Sequence, residues 1–133
     1  MAERDSPLIH HTVLYASDYE ASERIFSAAL TVLDIVPGFR TDTGVEYWRR
    51  DVDTPSFCVE RATSPDKATR RVHLAFTAPD RAAVDAFHAA AVAAGAESRH
   101  APRLWPEYRA YCAFFRDPDG NNIEAVCKEP GTT

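Results

Sequence analysis

Two histidines and two glutamates have a spacing that could do chemistry in this chain. His11 precedes Asp18 by seven residues, and His73 precedes Asp80 by seven. Ala21 and Ala83 stand ten past their histidines, Ile25 and Phe87 fourteen past, and Ala28-Ala29-Leu30 is matched by Ala90-Ala91-Val92. Each of these pairs is 62 residues apart, the mark of an internal repeat. Towards the ends of the halves Glu60 matches Glu124 at an offset of 64, a difference that loops absorb. Two such units related by approximate twofold symmetry would bring His11, His73, Glu60 and Glu124 to one point. Imidazole with carboxylate suits Zn, Ni, Co, Mn or Fe(II) and needs no thiolate. Two His and one carboxylate leave positions for a chelating substrate; a fourth ligand, Glu60, leaves two in an octahedron. A one-residue slip in register would put His10 in the place of His11, and the repeat selects His11. His88 and His100 have no partner by spacing and read as surface or helix residues.

The elements that must position these groups follow from the pattern of apolar residues. Leu8–Ala16 reads as a strand with His11, Val13 and Tyr15 on one face. Ser17 and Glu20 are spaced as a capping box, and Ile25, Phe26, Ala29 and Leu33 recur at helical spacing to about Asp34. Three short strands are expected at about Val36–Arg40, Val45–Arg50 and Ser56–Arg61, with turns at Asp42–Gly44 and Asp53–Pro55. Ala62–Thr69 is polar and reads as a linker. Arg71–Thr77 is the next strand. Pro79-Asp80 opens a second helix that carries Val84, Phe87, Ala91 and Ala94 and ends at Gly95. His100–Glu107, with two prolines, reads as irregular, and Tyr108–Arg116 as a strand. Asp117-Pro118-Asp119-Gly120 is a tight turn into a last strand with Glu124 and Val126 on one face.

The chain therefore reads as an α+β protein built from two βαβββ modules, about 8–61 and 71–128, within a single domain, residues 1–133. Its length and 45% apolar content are enough for one real core. A net charge of −5 without a basic stripe argues against nucleic acid as a partner. Three widely spaced cysteines, Cys58, Cys112 and Cys127, argue against a disulfide framework and for reduced, intracellular thiols. Residues 1–7 are polar and read as frayed, and residues 1–10 contain no apolar signal segment, so a cytoplasmic location is expected. No apolar run is long enough to suggest a membrane span.

Three stretches resemble the vicinal oxygen chelate superfamily: His11-Thr-Val-Leu-Tyr-Ala-Ser-Asp-Tyr-Glu-Ala-Ser22, Val72-His-Leu-Ala-Phe76 and Asp117-Pro-Asp-Gly-Asn-Asn-Ile-Glu124. That superfamily includes glyoxalase I, extradiol dioxygenases, fosfomycin-resistance enzymes and bleomycin-resistance binding proteins. The resemblance implies a cup-shaped mixed sheet around a divalent metal, with ligands at His11, His73 and Glu124 and Glu60 the nearest match for a fourth. It also implies a small-molecule substrate that chelates the metal through adjacent oxygens, and modules commonly paired across chains, so a homodimer. A glyoxalase-like lyase or isomerase is the first expectation, with Glu60 as its catalytic base. Ring cleavage by a three-ligand Fe(II) site, as in extradiol dioxygenases, is one alternative. The other is a metal-free binding protein of the bleomycin-resistance kind. Trp48, Phe57, Trp105, Tyr108 and Tyr111 supply aromatic surface for a substrate, with Tyr47 beside them, and Arg103 or Arg109 could meet a substrate carboxylate.

Overall fold

A computed structural model describes residues 8–52 and 56–129. The N-terminal residues 1–7 and the expected turn Asp53–Pro55 lie outside the described residues. The first module runs β1 (Thr12–Ala16), α1 (Tyr19–Thr31), β2 (Ile35–Arg40), β3 (Gly44–Arg49) and β4 (Phe57–Arg61). The second runs β5 (His73–Thr77), α2 (Arg81–Ala93), β6 (Glu97–Trp105), β7 (Ala110–Arg116) and β8 (Asn122–Lys128). Each module folds into a four-stranded mixed sheet, ordered β1-β4-β3-β2 and β5-β8-β7-β6. In each, the first strand pairs in parallel with the last and the other pairs are antiparallel. The α+β class and the paired βαβββ modules are as the sequence predicts.

Both helices start on an aspartate. Asp18 Oδ1 accepts from the Ala21 N–H at 3.2 Å, and Asp80 Oδ1 accepts from the Ala83 N–H at 2.8 Å. The cap of α1 is therefore Asp18 rather than Ser17, which is drawn away to a partner in the other module. Buried Ile25, Phe26, Ala29 and Leu30 on α1 and Val84, Phe87 and Ala91 on α2 form the apolar stripes. Strand alternation supplies the rest: Leu14, Val45, Tyr47, Phe57 and Val59 from the first sheet, Ala113, Phe115, Ile123 and Ala125 from the second.

All these residues belong to one core. Phe26 of α1 lies 5.1 Å from the ring of Phe57 and 6.0 Å from that of Phe115, so it touches both sheets. Phe57 and Phe76 meet at 5.4 Å, and Phe87 of α2 meets Phe115 at 5.3 Å. The two helices also pack on each other. Both sheets thus turn one face to the same helices and core, and their other faces point outward. No helix among the described residues is long and apolar enough to cross a membrane.

The turn after β7 joins the modules. Asp117 is buried and accepts from the backbone N–H of Asp119 and Asn121 and from Asn121 Nδ2, at 2.8–3.0 Å. Burial nonetheless pushes its carboxyl up from the ordinary range. Gly120 takes φ +87, which only glycine adopts without strain. Asn121 holds the linker by donating to Thr69 O and accepting from Val72 N, while Thr69 bonds Tyr15 of β1 through Tyr15 N–H···Oγ1 and its own N–H. Asp119 reaches Ser17 of the first module.

Candidate functional site

His73 opens β5 and Glu124 lies in the middle of β8, the neighbouring parallel strand, on the face turned away from the core. His73 Nε2 and Glu124 Oε1 are 2.7 Å apart. Glu124 is buried while His73 is exposed. Two donors bound at right angles to one divalent ion at about 2.1 Å would stand about 3 Å apart, so this pair fits a shared ion. The donor types, one imidazole and one carboxylate, fit the same group of metals.

The other two residues of the expected set are elsewhere. His11 precedes β1 in the first sheet, is exposed, and its Nδ1 meets Nδ1 of His10 at 2.9 Å. Glu60 lies on β4, beside a small recess it shares with Glu46, Cys58 and Phe39. Among the described residues no three His, Cys, Asp or Glu side chains come together within one chain to hold a metal. The shared core turns the face bearing His11 and the face bearing His73 outward, one on each sheet, and His11 does not join the His73–Glu124 pair.

The strand registers also refine the repeat. Glu124 stands opposite Ala75 in β5, and the counterpart of Ala75 at the offset of 62 is Val13. Val13 stands opposite Cys58, not Glu60. In the ladder the last strands are thus offset by 66 rather than 64, and Cys58 occupies the place that Glu124 holds. Glu60 is on the same face two residues on, about 7 Å further along the strand.

A cavity of about 670 Å³ opens on the outward face of the second sheet. His73 and Glu124 lie at one side, and small residues, Ala75, Ala110 and Cys112, leave its floor low. Trp105, Phe114 and His100 form an edge-on aromatic wall, with ring centroids 5.2–5.5 Å apart, and Tyr108 extends it at 6.3 Å from Trp105. Burial pushes the Cys112 thiol up to about 12, and the hydrogen bond and charge of the adjacent Glu124 add to the shift.

Of the expected substrate residues, Trp105 and Tyr108 line this cavity. Phe57 is in the core, and Trp48 lies on the first sheet with its ring over Gly38. Tyr111 faces α2, donating to Asp85 at 2.8 Å with Arg81 over its ring. Arg103 stacks on Trp105 at 3.5 Å and bonds the Leu104 carbonyl. Arg99, His100, Asn122 and Lys128 line the cavity unannounced by motif. The one signal for Arg99 and His100 was the proline-marked irregularity beside them.

A family model described as the Glyoxalase/Bleomycin resistance protein/Dioxygenase superfamily matches residues 8–125. No curated protein matches the chain. Among solved structures, a glyoxalase/bleomycin resistance protein from Albidiferax ferrireducens T118 is 29% identical, with a TM-score of 0.78, covering 92% of this chain and 100% of that one. A lactoylglutathione lyase from Agrobacterium tumefaciens is 22% identical with a TM-score of 0.64, over 96% of this chain and 98% of that one. A glyoxalase-related enzyme from Fulvimarina pelagi is 19% identical with a TM-score of 0.70, over 92% of this chain and 89% of that one. At those identities the last two show the fold alone.

Proposed function

The chain belongs to the glyoxalase/bleomycin resistance protein/dioxygenase superfamily, and from that premise we propose that it is a divalent-metal-dependent enzyme whose site is completed by a second copy. His73 and Glu124 of one chain hold the ion together with His11 of the other, in a homodimer that sets the outward face of a first sheet against that of a second. The observation that supports this most is the 2.7 Å pairing of His73 with Glu124 on a cavity face that His11 of the same chain does not join.

The bound ion supplies Lewis-acid polarisation of two adjacent substrate oxygens. The protein's own part is to bind the substrate body against the aromatic wall and to move a proton. Glu60 is the base of a glyoxalase-like lyase or isomerase reaction: its carboxylate takes a proton from the carbon next to the substrate carbonyl and returns it at the neighbouring carbon. Its offset of two residues from the place matching Glu124 suits a base that stays off the ion. The same offset favours a second reading. With Cys58 in the fourth place, His11, His73 and Glu124 form a facial triad of the kind that serves Fe(II) ring-cleaving dioxygenases.

Elemental analysis of protein purified without chelator tests the site. Wild type should carry a divalent metal, and His73→Ala and Glu124→Gln should lose most of it. Glu60→Gln should keep the metal and slow hydrogen–deuterium exchange at the hydroxymethyl carbon of 2-hydroxyacetophenone, followed by NMR. Metal unchanged in His73→Ala and Glu124→Gln refutes the site. Wild type without metal, yet still binding small aromatics, makes the chain a binding protein.

A further inference from the structure

Arg99 and His100 are neighbours in β6, and both line the cavity. A regular strand sends consecutive side chains to opposite faces. Here the register slips by one residue between Ser98 and His100 and again between His100 and Arg103. Such bulges re-aim side chains and recur beside functional sites. The first brings the Arg99 guanidinium to the cavity next to the row Glu124–Phe114–His100.

The charge there is the reverse of the chain's. The protein is five charges negative, yet the cavity lining holds Arg99 and Lys128 against one carboxylate, Glu124, which His73 already engages. The Arg99 guanidinium makes no hydrogen bond or ion pair among the described residues. Among the described residues the Lys128 ammonium bonds the Tyr108 carbonyl, at 3.1 Å, and no carboxylate. An arginine kept clear of every described carboxylate in an acidic protein is a ready fork for an incoming anion. One donor points the same way. Trp105 Nε1 is shielded from solvent without a partner among the described residues, and Trp105 lines this cavity; Asn122 Oδ1, likewise unpartnered, is an acceptor and serves a donor rather than an anion. The Trp105 N–H therefore still lacks an acceptor.

We infer that this cavity takes a small anion with a flat apolar body, of which an aromatic carboxylate is the simplest form. The ring lies over Ala75, Ala110 and Cys112, against Trp105 and Phe114. The carboxylate is read by Arg99, apart from the oxygens that the ion takes. The inference rests on the functional reading above in using the same cavity, but the anion site itself needs no metal.

Calorimetric titration with 1-naphthoate, 1-naphthamide and acetate tests it, on the full chain stripped with chelator and again with metal restored. In the stripped wild type, naphthoate should bind about tenfold tighter than naphthamide, since charge-assisted bonds to arginine are the strong ones, and acetate weakest. Arg99→Gln changes an exposed side chain, so the fold should survive, and the naphthoate preference should drop to about twofold or less. Trp105→Ala should weaken both naphthyl ligands together. The inference is overturned if naphthoate binds no tighter than naphthamide in stripped protein, or if its preference survives in Arg99→Gln. A preference seen only with metal and lost in Glu124→Gln overturns the Arg99 assignment and leaves the metal site standing. An Arg99-dependent preference in a protein that takes up no metal supports the anion site and sinks the metal-dependent reading.

Discussion

Replacing Asp119 by alanine removes a carboxylate that belongs to the second module by sequence and to the first by its bonds. Its Oδ2 accepts from the Ser17 backbone N–H at 3.0 Å, and its Oδ1 from the Ser17 hydroxyl at 2.5 Å. The Asp119 side chain is only 2% exposed, so the bonds are shielded from water at the carboxylate, while Ser17 is exposed. Hydrogen bonds to a charged group contribute about 1.5–3 kcal/mol each, but Ser17 can rewet once its partner is gone, so each is placed near the low end. The Arg70 guanidinium at 3.5 Å is half exposed and adds little. The loss should total about 2–3 kcal/mol. At about 3–5 °C per kcal/mol for a chain of this size, thermal unfolding should come about 6–15 °C earlier. Circular dichroism melts of wild type, Asp119→Ala, Ser17→Ala and the double variant form the test. Ser17→Ala removes only the hydroxyl bond, and the cycle should show a coupling of about 0.5–1.5 kcal/mol. A melt of Asp119→Ala within about 0.5 kcal/mol of wild type would refute the bridge.

Three further outcomes follow from local geometry. With its pKa pushed up to about 12, Cys112 holds only about one part in 10⁴ as thiolate at pH 8, so iodoacetamide should label it some thousandfold slower than a free thiol, rising tenfold per pH unit. Glu124→Gln should speed that labelling by removing the smaller causes of the shift while burial remains; peptide mass spectrometry reads both, and labelling at the rate of a free thiol contradicts the placement. A Cβ built at Gly38 would fall 2.0 Å from the Trp48 ring, so Gly38→Ala should displace the indole, cost about 1–3 kcal/mol and shift tryptophan emission. Phe115 is fully buried between α1, α2 and the second sheet, and Phe115→Ala should cost about 3–5 kcal/mol in urea unfolding; a loss under about 1 kcal/mol would deny the shared core.

The repeat was legible because both helices keep the same distance from their histidines, and helical spacing survives in sequence wherever apolar residues carry it. His73 was matched to His11 by that route. Glu60 was matched to Glu124 because both are glutamates towards the ends of their halves, whereas the ladder counts backbone pairs and sets Cys58 opposite Val13. Loop lengths between the antiparallel strands decide that count, and side-chain identity cannot report them. Ser17 was read as a cap from local spacing; its hydroxyl instead serves Asp119, 102 residues away, which no local pattern encodes. His100–Glu107 was read as irregular from its prolines, yet Glu97–Trp105 is a strand: it is the edge of its sheet, where proline is tolerated, and its bulges absorb the irregularity. The segregation of the two faces was not legible at all, because it depends on both modules sharing one core.

That segregation makes subunit complementation the most direct test of the proposed site. His11→Ala and His73→Ala chains should each bind little divalent metal alone. Unfolded together in equal amounts and refolded, they should form heterodimers in half of the dimers, each with one site whose His11 and His73 come from different chains and are both intact. Elemental analysis of the mixture should then recover roughly one-quarter of the wild-type metal per chain. Recovery no greater than the average of the two separate variants would contradict a site built across two chains.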